Sequence, residues 1–534
     1  LELGASSISG NLTVQTGGAL TQTGALTVSG ATGLTAKNAE NNPQDITLAN
    51  GSNNFIGSVS VVSGNNVSLK DGSGGITIGS SNVSGNLTVA SIGSPAGINL
   101  VGAITKDSGA DATLSFRAEN GPIILDSGSN ITATSGKLNT VLWADNEGDG
   151  QYIWMKPDSS ISTGGGHIWM GGNSQSGTTW NGLTVGSGYA AGSNAMTNGI
   201  YLQKATLTSG GGHIALHGKS YLGAALNDQA SGIRLASTAE GGASINSGTG
   251  SILLDGVSRA TSGPAIGVEL NTAAGQPVTV TSAATADDAI AITGNAATST
   301  STTSTLGVWV GNNTTISATG GGNISITGTG GTTGTDKQAT YFAGGTINSG
   351  SGNMTVTGDT ISMTEATRLQ GTGTLTIQSQ TASTTVGVAG GAGTLQIPAS
   401  YFSTNFVDGF SGIIIGGEDS GDIDVGGNFT IRDDVTLQSA ADVKINAGLT
   451  WASANKLTLA ADDEVYVNQA IANTNTTGGG VYFSAGNTTN KVIFGTDGKV
   501  VIHNAEQLQW MSTGLAGKYE LGGNIDASAT SGWN

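Results

Sequence analysis

Glycine triplets between short strands constrain the fold of this chain more than any other feature. They lie at residues 164–166, 210–212 and 320–322. The segments on both sides follow the two-residue apolar period of a β-strand. Glycine adopts positive φ without steric cost and therefore suits tight turns. Each unit thus predicts a strand, a turn and a second strand.

A shorter cassette extends this pattern along the chain. Residues 9–14 and 84–89 share the sequence Ser-Gly-Asn-Leu-Thr-Val, and related cassettes occur at 322–326, 352–356 and 427–431. Apolar residues flank a Thr or Ser in each, so the apolar pair faces one side of a strand and the hydroxyl faces the other. We find no convincing helical periodicity before about residue 504.

The repeat lengthens into a two-strand unit between residues 151 and 328. Its apolar cassettes are 47, 33, 35 and 40 residues apart, at residues 153–155, 200–202, 233–235, 268–270 and 308–310. Self-similarity with such periods indicates a solenoid. Short strands without crossover helices predict an all-β, right-handed parallel β-helix, with roughly 20–23 residues in each coil.

The pattern changes after residue 503. Asn504 suits a helix N-cap, and Leu508 and Met511 have helical spacing. We therefore predict two regions. Residues 1–503 form the β-helical shaft, with the glycine-triplet units clearest at 151–328. Residues 504–534 begin a further repeat module with a short helix, which is cut short at the end of the chain.

Composition excludes several classes of function. The net charge of −18 opposes binding to nucleic acid or to an anionic bilayer. Apolar runs stay well below the ~18 residues of a membrane span, so no transmembrane segment is expected. The absence of cysteine excludes disulfides and thiolate chemistry. These properties suit an exported chain that crosses a membrane unfolded.

The repeats and the tail resemble a known family. The Gly-Gly-Gly-x-Ile-x-(Leu/Met) units, the Ser-Gly-Asn-Leu-Thr-Val cassettes and the tail from Asn504 to Trp533 resemble filamentous haemagglutinin-like exoproteins, the large adhesins of Gram-negative two-partner secretion. The resemblance implies an internal segment of a right-handed β-helical shaft. It also implies export through an outer-membrane transporter, a secreted or cell-surface location, and a role in adhesion or biofilm formation.

Outward aromatic residues are the candidate binding site. If their apolar neighbours face inward, Trp154 and Trp169 face outward by strand alternation, and Tyr201 and Trp309 share that phase in later units. Exposed aromatic clusters are typical of interaction surfaces. We expect these four residues to bind carbohydrate or protein. The alternative is that flanking loops or a second layer cover the rings.

The histidines are candidate metal ligands. His167 and His213 hold equivalent places in two units, and at about 23 residues per coil they would lie two coils, or about 9.6 Å, apart. That separation exceeds the roughly 4 Å that two zinc–nitrogen bonds span. We therefore expect solvent-facing histidines beside turns, without a metal.

An acidic loop approaches a calcium site. Asp145, Glu147 and Asp149 are spaced like calcium ligands, but the third position is Glu and the twelfth is Lys156. Asp145 and Glu147 are also considered as a glycosidase pair. The composition is that of a turn, so a solvated loop is the favoured interpretation, and we predict no catalytic residue and no cofactor.

The sequence therefore favours a secreted cell-surface adhesin over an enzyme. Two alternatives stay open, a carbohydrate-active β-helix enzyme (a polysaccharide lyase or hydrolase) and a purely structural spacer. An enzyme needs several acids or bases that converge on one groove, and this chain shows no obvious cluster at matching phase.

Overall fold

The computed structural model is a parallel β-helix, as the sequence predicts. It describes residues 1–93, 97–144, 150–172, 177–223, 229–271, 275–285, 287–485 and 491–532. The chain forms two compact units. Unit 1 comprises residues 1–316 and 331–337, and unit 2 comprises residues 317–330 and 338–534.

Three parallel sheets, A, B and C, form the walls of unit 1. Sheet A contains Leu12–Thr16, Thr32–Ala36, Val59–Ser63, Ile76–Ile78, Ile98–Leu100, Ile123–Leu125, Ile153–Met155, Ile200–Gln203, Ala230–Ala236, Ala265–Asn271 and Thr305–Val310. Sheet B contains Ile46–Leu48, Val67–Asp71, Leu87–Ser91, Ala112–Ala118, Leu138–Ala144, Ile168–Gly172, Ala190–Ala191, Ile214–Lys219, Ile252–Val257 and Ile290–Asn295. Sheet C contains Ser81–Val83, Ala103–Lys106, Asn130–Ala133, Ser160–Ser162, Thr206–Thr208, Ser244–Asn246 and Val278–Ser282.

Shorter strands complete unit 1. Near the start of the chain they are Glu2–Leu3 with Thr21–Gln22, and Ser6–Ile8 with Leu26–Val28 and Asn54–Phe55. Thr178–Trp180 and Leu183–Val185 form an antiparallel hairpin. The boundary between the units falls within the strand Thr314–Ala318.

Successive coils pass through sheets A, C and B in that order. The apolar cassettes at Ile153, Ile200, Ile233, Val268 and Val308 pair with one another in register along sheet A. Each of these residues is fully buried and packs inside the coil. The long spacings are therefore single coils with inserted loops, and the estimate of 20–23 residues per coil is wrong for this region.

The glycine triplets at 164–166 and 210–212 form corners between sheets C and B. The first two glycines, Gly164 and Gly165, have φ of 60° and 104°, values that side-chain-bearing residues rarely adopt. The third position of the triplet requires glycine for a different reason. A Cβ on Gly212 would lie 2.1 Å from the carbonyl oxygen of Gly166 in the preceding coil. Close stacking of coils therefore excludes any side chain at this position.

Asparagine side chains connect the coils just after these turns. In the repeated cassettes, Asn11 Oδ1 accepts from the backbone N–H of Ala31 at 2.9 Å, and Asn86 Oδ1 accepts from that of Thr113 at 2.8 Å. Both N–H groups belong to the next coil. The cassettes thus contribute a side-chain hydrogen bond that supplements the parallel backbone ladder.

Unit 2 has its own parallel sheets, D, E and F. Sheet D contains Ile324–Thr329, Met354–Thr357, Thr374–Gln378, Gly412–Gly416, Val435–Ser439, Lys456–Ala461 and Gly480–Ala485. Sheet E contains Val386–Val388, Leu395–Ile397, Ile423–Val425, Val443–Ile445, Val465–Val467 and Val492–Phe494. Sheet F contains Leu449–Trp451, Ala470–Asn473, Lys499–Ile502 and Tyr519–Leu521. Two further strand pairs are Thr340–Phe342 with Ile361–Met363 and Thr346–Asn348 with Arg368–Gln370.

Short helices occur in unit 2. A π-helical turn spans Tyr401–Asn405, and 3₁₀ turns span Met511–Gly514 and Ser528–Gly532. The α-helix Ala505–Trp510 begins after Asn504, whose Oδ1 accepts from the N–H of Gln507 at 2.8 Å. This confirms the predicted short helix and its N-cap. A separate module from residue 504 stays a prediction.

Candidate functional site

A row of planar and charged side chains follows the outer face of sheet A. Trp154, Tyr201, Arg234, Glu269 and Trp309 are register partners in successive strands. Each occupies the middle of an apolar cassette whose flanking residues are buried. Strand alternation therefore turns these five side chains outward. We call them the planar row.

The rings of the planar row stack on one another. The centroids of Trp154 and Tyr201 are 6.2 Å apart, with the ring planes inclined by 8°. The Arg234 guanidinium lies 5.3 Å from the Tyr201 centroid, and Lys156 Nζ lies 4.9 Å from the Trp154 centroid. Ring and cation contacts of this kind each contribute roughly 0.5–1.5 kcal/mol. Stacking and cation contacts therefore cover faces of Trp154 and Tyr201, and the indole Nε1 of Trp154 is buried as well.

Ion pairs hold both ends of this stack. Lys156 Nζ lies 2.5 Å from Asp126 Oδ1, and its hydrogen bond is the main cause that lowers the pKa of this carboxyl. Arg234 Nε lies 3.2 Å from Oε1 of Glu269, whose side chain is fully buried. The Ser231 hydroxyl also donates to Glu269. Arg234 and Ser231 thus compensate the buried charge of Glu269. The carboxylate in turn orients the guanidinium of Arg234 over Tyr201.

Trp169 does not belong to this row. It is only 2% exposed, because the hairpin Thr178–Val185 forms a second layer over sheet B. Trp169 packs there with Trp143, Leu183 and Val185. The expectation of an outward Trp169 at a binding surface is therefore corrected, because the covering layer takes it out of solvent. Trp154, Tyr201 and Trp309 remain on the half-buried outer face of sheet A.

The two equivalent histidines lie in neighbouring coils. Ile168 pairs with Ile214, and the rings of His167 and His213 stack at 5.2 Å with 2° between their planes. The predicted separation of two coils is wrong, because the hairpin lengthens the coil between them. Burial is the main cause that lowers the pKa of His167, followed by the charges of His213 and Lys137.

These histidines replace the asparagines of the simpler cassettes. Asn139 Oδ1 accepts from the N–H of His167 at 2.9 Å, and His167 Nδ1 accepts from the N–H of His213 at 2.9 Å. His213 Nδ1 accepts in turn from the N–H of Ser251 at 3.0 Å. Both Nδ1 atoms must therefore be unprotonated. The pair extends the connection between coils through neutral imidazoles.

One carboxylate on sheet B lies between two donors. Asp255 Oδ2 accepts from the hydroxyl of Tyr189 at 2.8 Å and lies 3.2 Å from His217 Nδ1. Burial, followed by the charge of Asp255 and this hydrogen bond, raises the pKa of Tyr189 well above its usual range. Tyr189 thus stays protonated and ties the inserted segment to the strand Ile252–Val257.

The predicted calcium ligands Asp145, Glu147 and Asp149 lie outside the described residues. Within the part of the chain that the structure describes, no group of three or more metal-ligating side chains is present. Among the same residues, no helix is long and apolar enough to cross a membrane. The predictions about cofactors and calcium stay predictions.

Sequence reasoning missed Arg234, Glu269 and Lys156 as parts of the aromatic surface. The signal for Arg234 and Glu269 was present, because they occupy the same middle position as Trp154 and Tyr201 in the aligned cassettes. Lys156 contacts the ring of Trp154 from two residues further along the chain. Aromatic residues alone therefore do not reveal the cationic side chains that contact their rings.

Comparison with known proteins identifies the chain only as a repeat protein. Residues 1–62 match a family described as repeats of unknown function (DUF5649). No curated protein matches the chain, and no solved structure matches it. The repeats and the stacked parallel sheets define the chain as a parallel β-solenoid repeat protein.

Proposed function

We propose that this chain is a segment of a secreted, cell-surface adhesin whose β-helical coils display a binding face. The observation that carries the proposal is the planar row. It places Trp154, Tyr201, Arg234 and Trp309 on one outer face of unit 1, in successive strands of a rigid parallel sheet. Aromatic and arginine side chains are enriched at binding hot spots.

The geometry favours a ligand that extends along the planar row over one that stacks on a single ring. The faces of Trp154 and Tyr201 are covered by each other and by Lys156 and Arg234, so a sugar ring cannot stack on them. A host or matrix protein, or a carbohydrate that runs along the row, would contact its half-buried side chains across several coils spaced about 4.8 Å apart. Many weak contacts between the ligand and successive residues of the row together strengthen binding.

The proposal includes export and location. The resemblance to two-partner exoproteins supports secretion through an outer-membrane transporter and display at the bacterial surface, with a role in attachment or biofilm formation. A chain without cysteine and with a net charge of −18 suits this route and opposes nucleic acid as a partner. We propose no catalytic step, no cofactor and no calcium for this function.

An adherence assay with the purified chain tests the proposal. The chain is immobilised, and its attachment to epithelial cells and to matrix-coated surfaces is compared with that of the double variant Trp154→Ala/Tyr201→Ala. We expect at least about tenfold weaker attachment, because the variant removes the central stack. Tyr466→Ala is the matched control, since Tyr466 is also a half-buried outward residue on a strand, in sheet E of unit 2.

Equal attachment by the parent chain and the double variant would contradict the role of the planar row. A specific observation also favours a second candidate, the structural spacer, since the ring faces that sugars prefer are already covered. Lack of attachment by every form, with intact folding by circular dichroism, would support the spacer. Release of reducing ends from polysaccharides would instead support the enzyme.

A further inference from the structure

A polar groove lies on the outer face of sheet D in unit 2. Its volume is about 440 Å³, and amide, hydroxyl and carboxylate side chains line most of it. It belongs to a different unit from the planar row, and it contributed nothing to the function proposed above. We propose that this groove is a binding site for an uncharged saccharide.

A glycine that the backbone requires lies in the floor of the groove. Thr357 pairs with Gln378, and Gly416 pairs with Gln438, on neighbouring strands of sheet D. Gly416 has a φ of 88°, and a Cβ there would lie 2.2 Å from the carbonyl oxygen of Gln438. The backbone therefore requires glycine at this position. Gln378 and Gln438 lie on the strands on either side of Gly416, and both line the groove.

Hydrogen bonds hold one wall of the groove in place. Asp359 Oδ1 accepts from the N–H groups of Gln380 and Thr381 at 2.9 and 2.8 Å, and Asp359 Oδ2 accepts from the Thr381 hydroxyl at 2.5 Å. The Thr329 hydroxyl donates to Gln380 Oε1 at 2.7 Å. This turn is therefore preorganised, which reduces the entropy that a ligand would lose on binding.

The floor is suited to hydroxyl groups. Gln378 Nε2 donates to Thr357 Oγ1 at 3.2 Å, which orients the amide in the floor of the groove. Amides donate and accept at once, so Gln378 and Gln438 match neighbouring hydroxyls of a sugar. Half-buried Ile414 adds an apolar surface for the carbon face of the ring. Sites that combine a few polar groups with apolar contact are typical of small-ligand binding.

Charge at the opening selects against anionic ligands. Glu418 and Asp419 line the groove and are exposed to solvent. Their carboxylates, together with the chain's net charge of −18, repel uronic acids and sulfated sugars. The described lining residues carry no basic side chain that would compensate an anionic ligand. Neutral hexoses and N-acetylhexosamines are the class that fits.

Titration calorimetry with the whole chain tests the site. The probes are neutral hexose and N-acetylhexosamine tetrasaccharides at millimolar concentration, with uronate tetrasaccharides as the anionic comparison. We expect a neutral tetrasaccharide to bind and the uronates not to bind. Gln378→Ala/Gln438→Ala should weaken binding about tenfold or more, because two hydrogen-bonding amides are lost.

Gln370→Ala is the matched control, since Gln370 is a half-buried outward glutamine on another strand of unit 2, outside the groove. It should bind like the parent chain. Lack of binding by all neutral probes, or unchanged binding by a double variant whose circular dichroism is native, would overturn the proposal. Trp154→Ala/Tyr201→Ala should leave this binding intact. The proposal for the groove and the proposal for the planar row can therefore be tested separately.

Discussion

At the scale of single residues, the third glycine of a triplet is set by the distance between coils. Gly166, Gly212 and Gly250 stack in successive coils, and a Cβ on Gly250 would lie 2.0 Å from the carbonyl oxygen of Gly212. Backbone atoms cannot yield to such a contact as a flexible side chain would. These positions therefore tolerate no substitution, even though they are not among the glycines with positive φ.

Replacing Gly212 with alanine should destabilise unit 1 by about 2–4 kcal/mol, because the coils must separate to admit the methyl group. Gly10→Ala is the control, since a Cβ on Gly10 meets no atom within 4 Å. It should change stability by less than about 0.5 kcal/mol. Urea unfolding measured by circular dichroism compares the two variants. Equal midpoints would show that the coils are not packed as closely as described.

The stacked histidines predict a pH-dependent stability. The pKa of His167 is lowered in the folded chain relative to its ordinary value near 6.5. The unfolded chain therefore binds a proton more readily than the folded chain. The stabilising contribution of the neutral ring is complete above about pH 6.5 and is lost as the pH falls through the lower folded pKa.

His167→Asn/His213→Asn should reduce this loss, because Asn accepts the same backbone N–H without titrating, as Asn139 does. Urea midpoints at pH 8 and pH 5 for the parent chain and the double variant measure the effect. The midpoint of the parent should fall further than that of the variant. Parallel falls would contradict the role of the imidazole pair.

At the scale of elements, the hairpin Thr178–Val185 determines which aromatic residues reach solvent. Its inner residues Leu183 and Val185 cover Trp143 and Trp169, whereas Thr184 between them is exposed. On sheet A, Trp154 and Tyr201 stay half-buried. Strand alternation thus turns both Trp169 and Trp154 outward, but Trp169 on sheet B becomes buried and Trp154 on sheet A stays partly exposed.

Val185→Asp should detach the hairpin, since it places a charge in an apolar cluster without a partner. Limited proteolysis should then cleave the chain near the hairpin, and tryptophan emission should shift to longer wavelength. Thr184→Asp should leave both properties unchanged. If both variants resisted protease equally, the hairpin would not depend on this cluster.

At the scale of the whole molecule, each coil depends on its neighbours. Strand pairing along sheets A, B and C is parallel and runs between adjacent coils. In such linear arrays stability is roughly a sum of coil and nearest-neighbour terms. Local damage should therefore spread along the stack and fade with distance.

Ile214→Asp tests this behaviour, because Ile214 is 1% exposed and its burial contributes about 1.5–3 kcal/mol. Hydrogen exchange should rise most in its partner strands Ile168–Gly172 and Ile252–Val257 and change little in Leu87–Ser91. Thr206→Asp should be tolerated, since Thr206 is exposed. Uniform exchange along the chain would indicate a cooperative unit instead.

Much of the fold could be predicted from local patterns. The inward positions of Ile153, Ile200 and Ile214 and the N-cap at Asn504 follow from strand alternation and capping preferences. The neighbours of each coil could not be predicted with the same accuracy. The spacing of His167 and His213 predicts a separation of two coils, because loop length does not show how many strands a segment contributes to the stack.

The sequence by itself determined that the chain forms a parallel solenoid, because strand alternation and glycine turns act through local backbone preferences. Only the tertiary structure decided which outward residues become a surface. The covered Trp169, the stacked planar row and the groove beside Gly416 all depend on register between distant segments. That register is set by packing between coils whose inserted loops differ in length, and no local pattern encodes it.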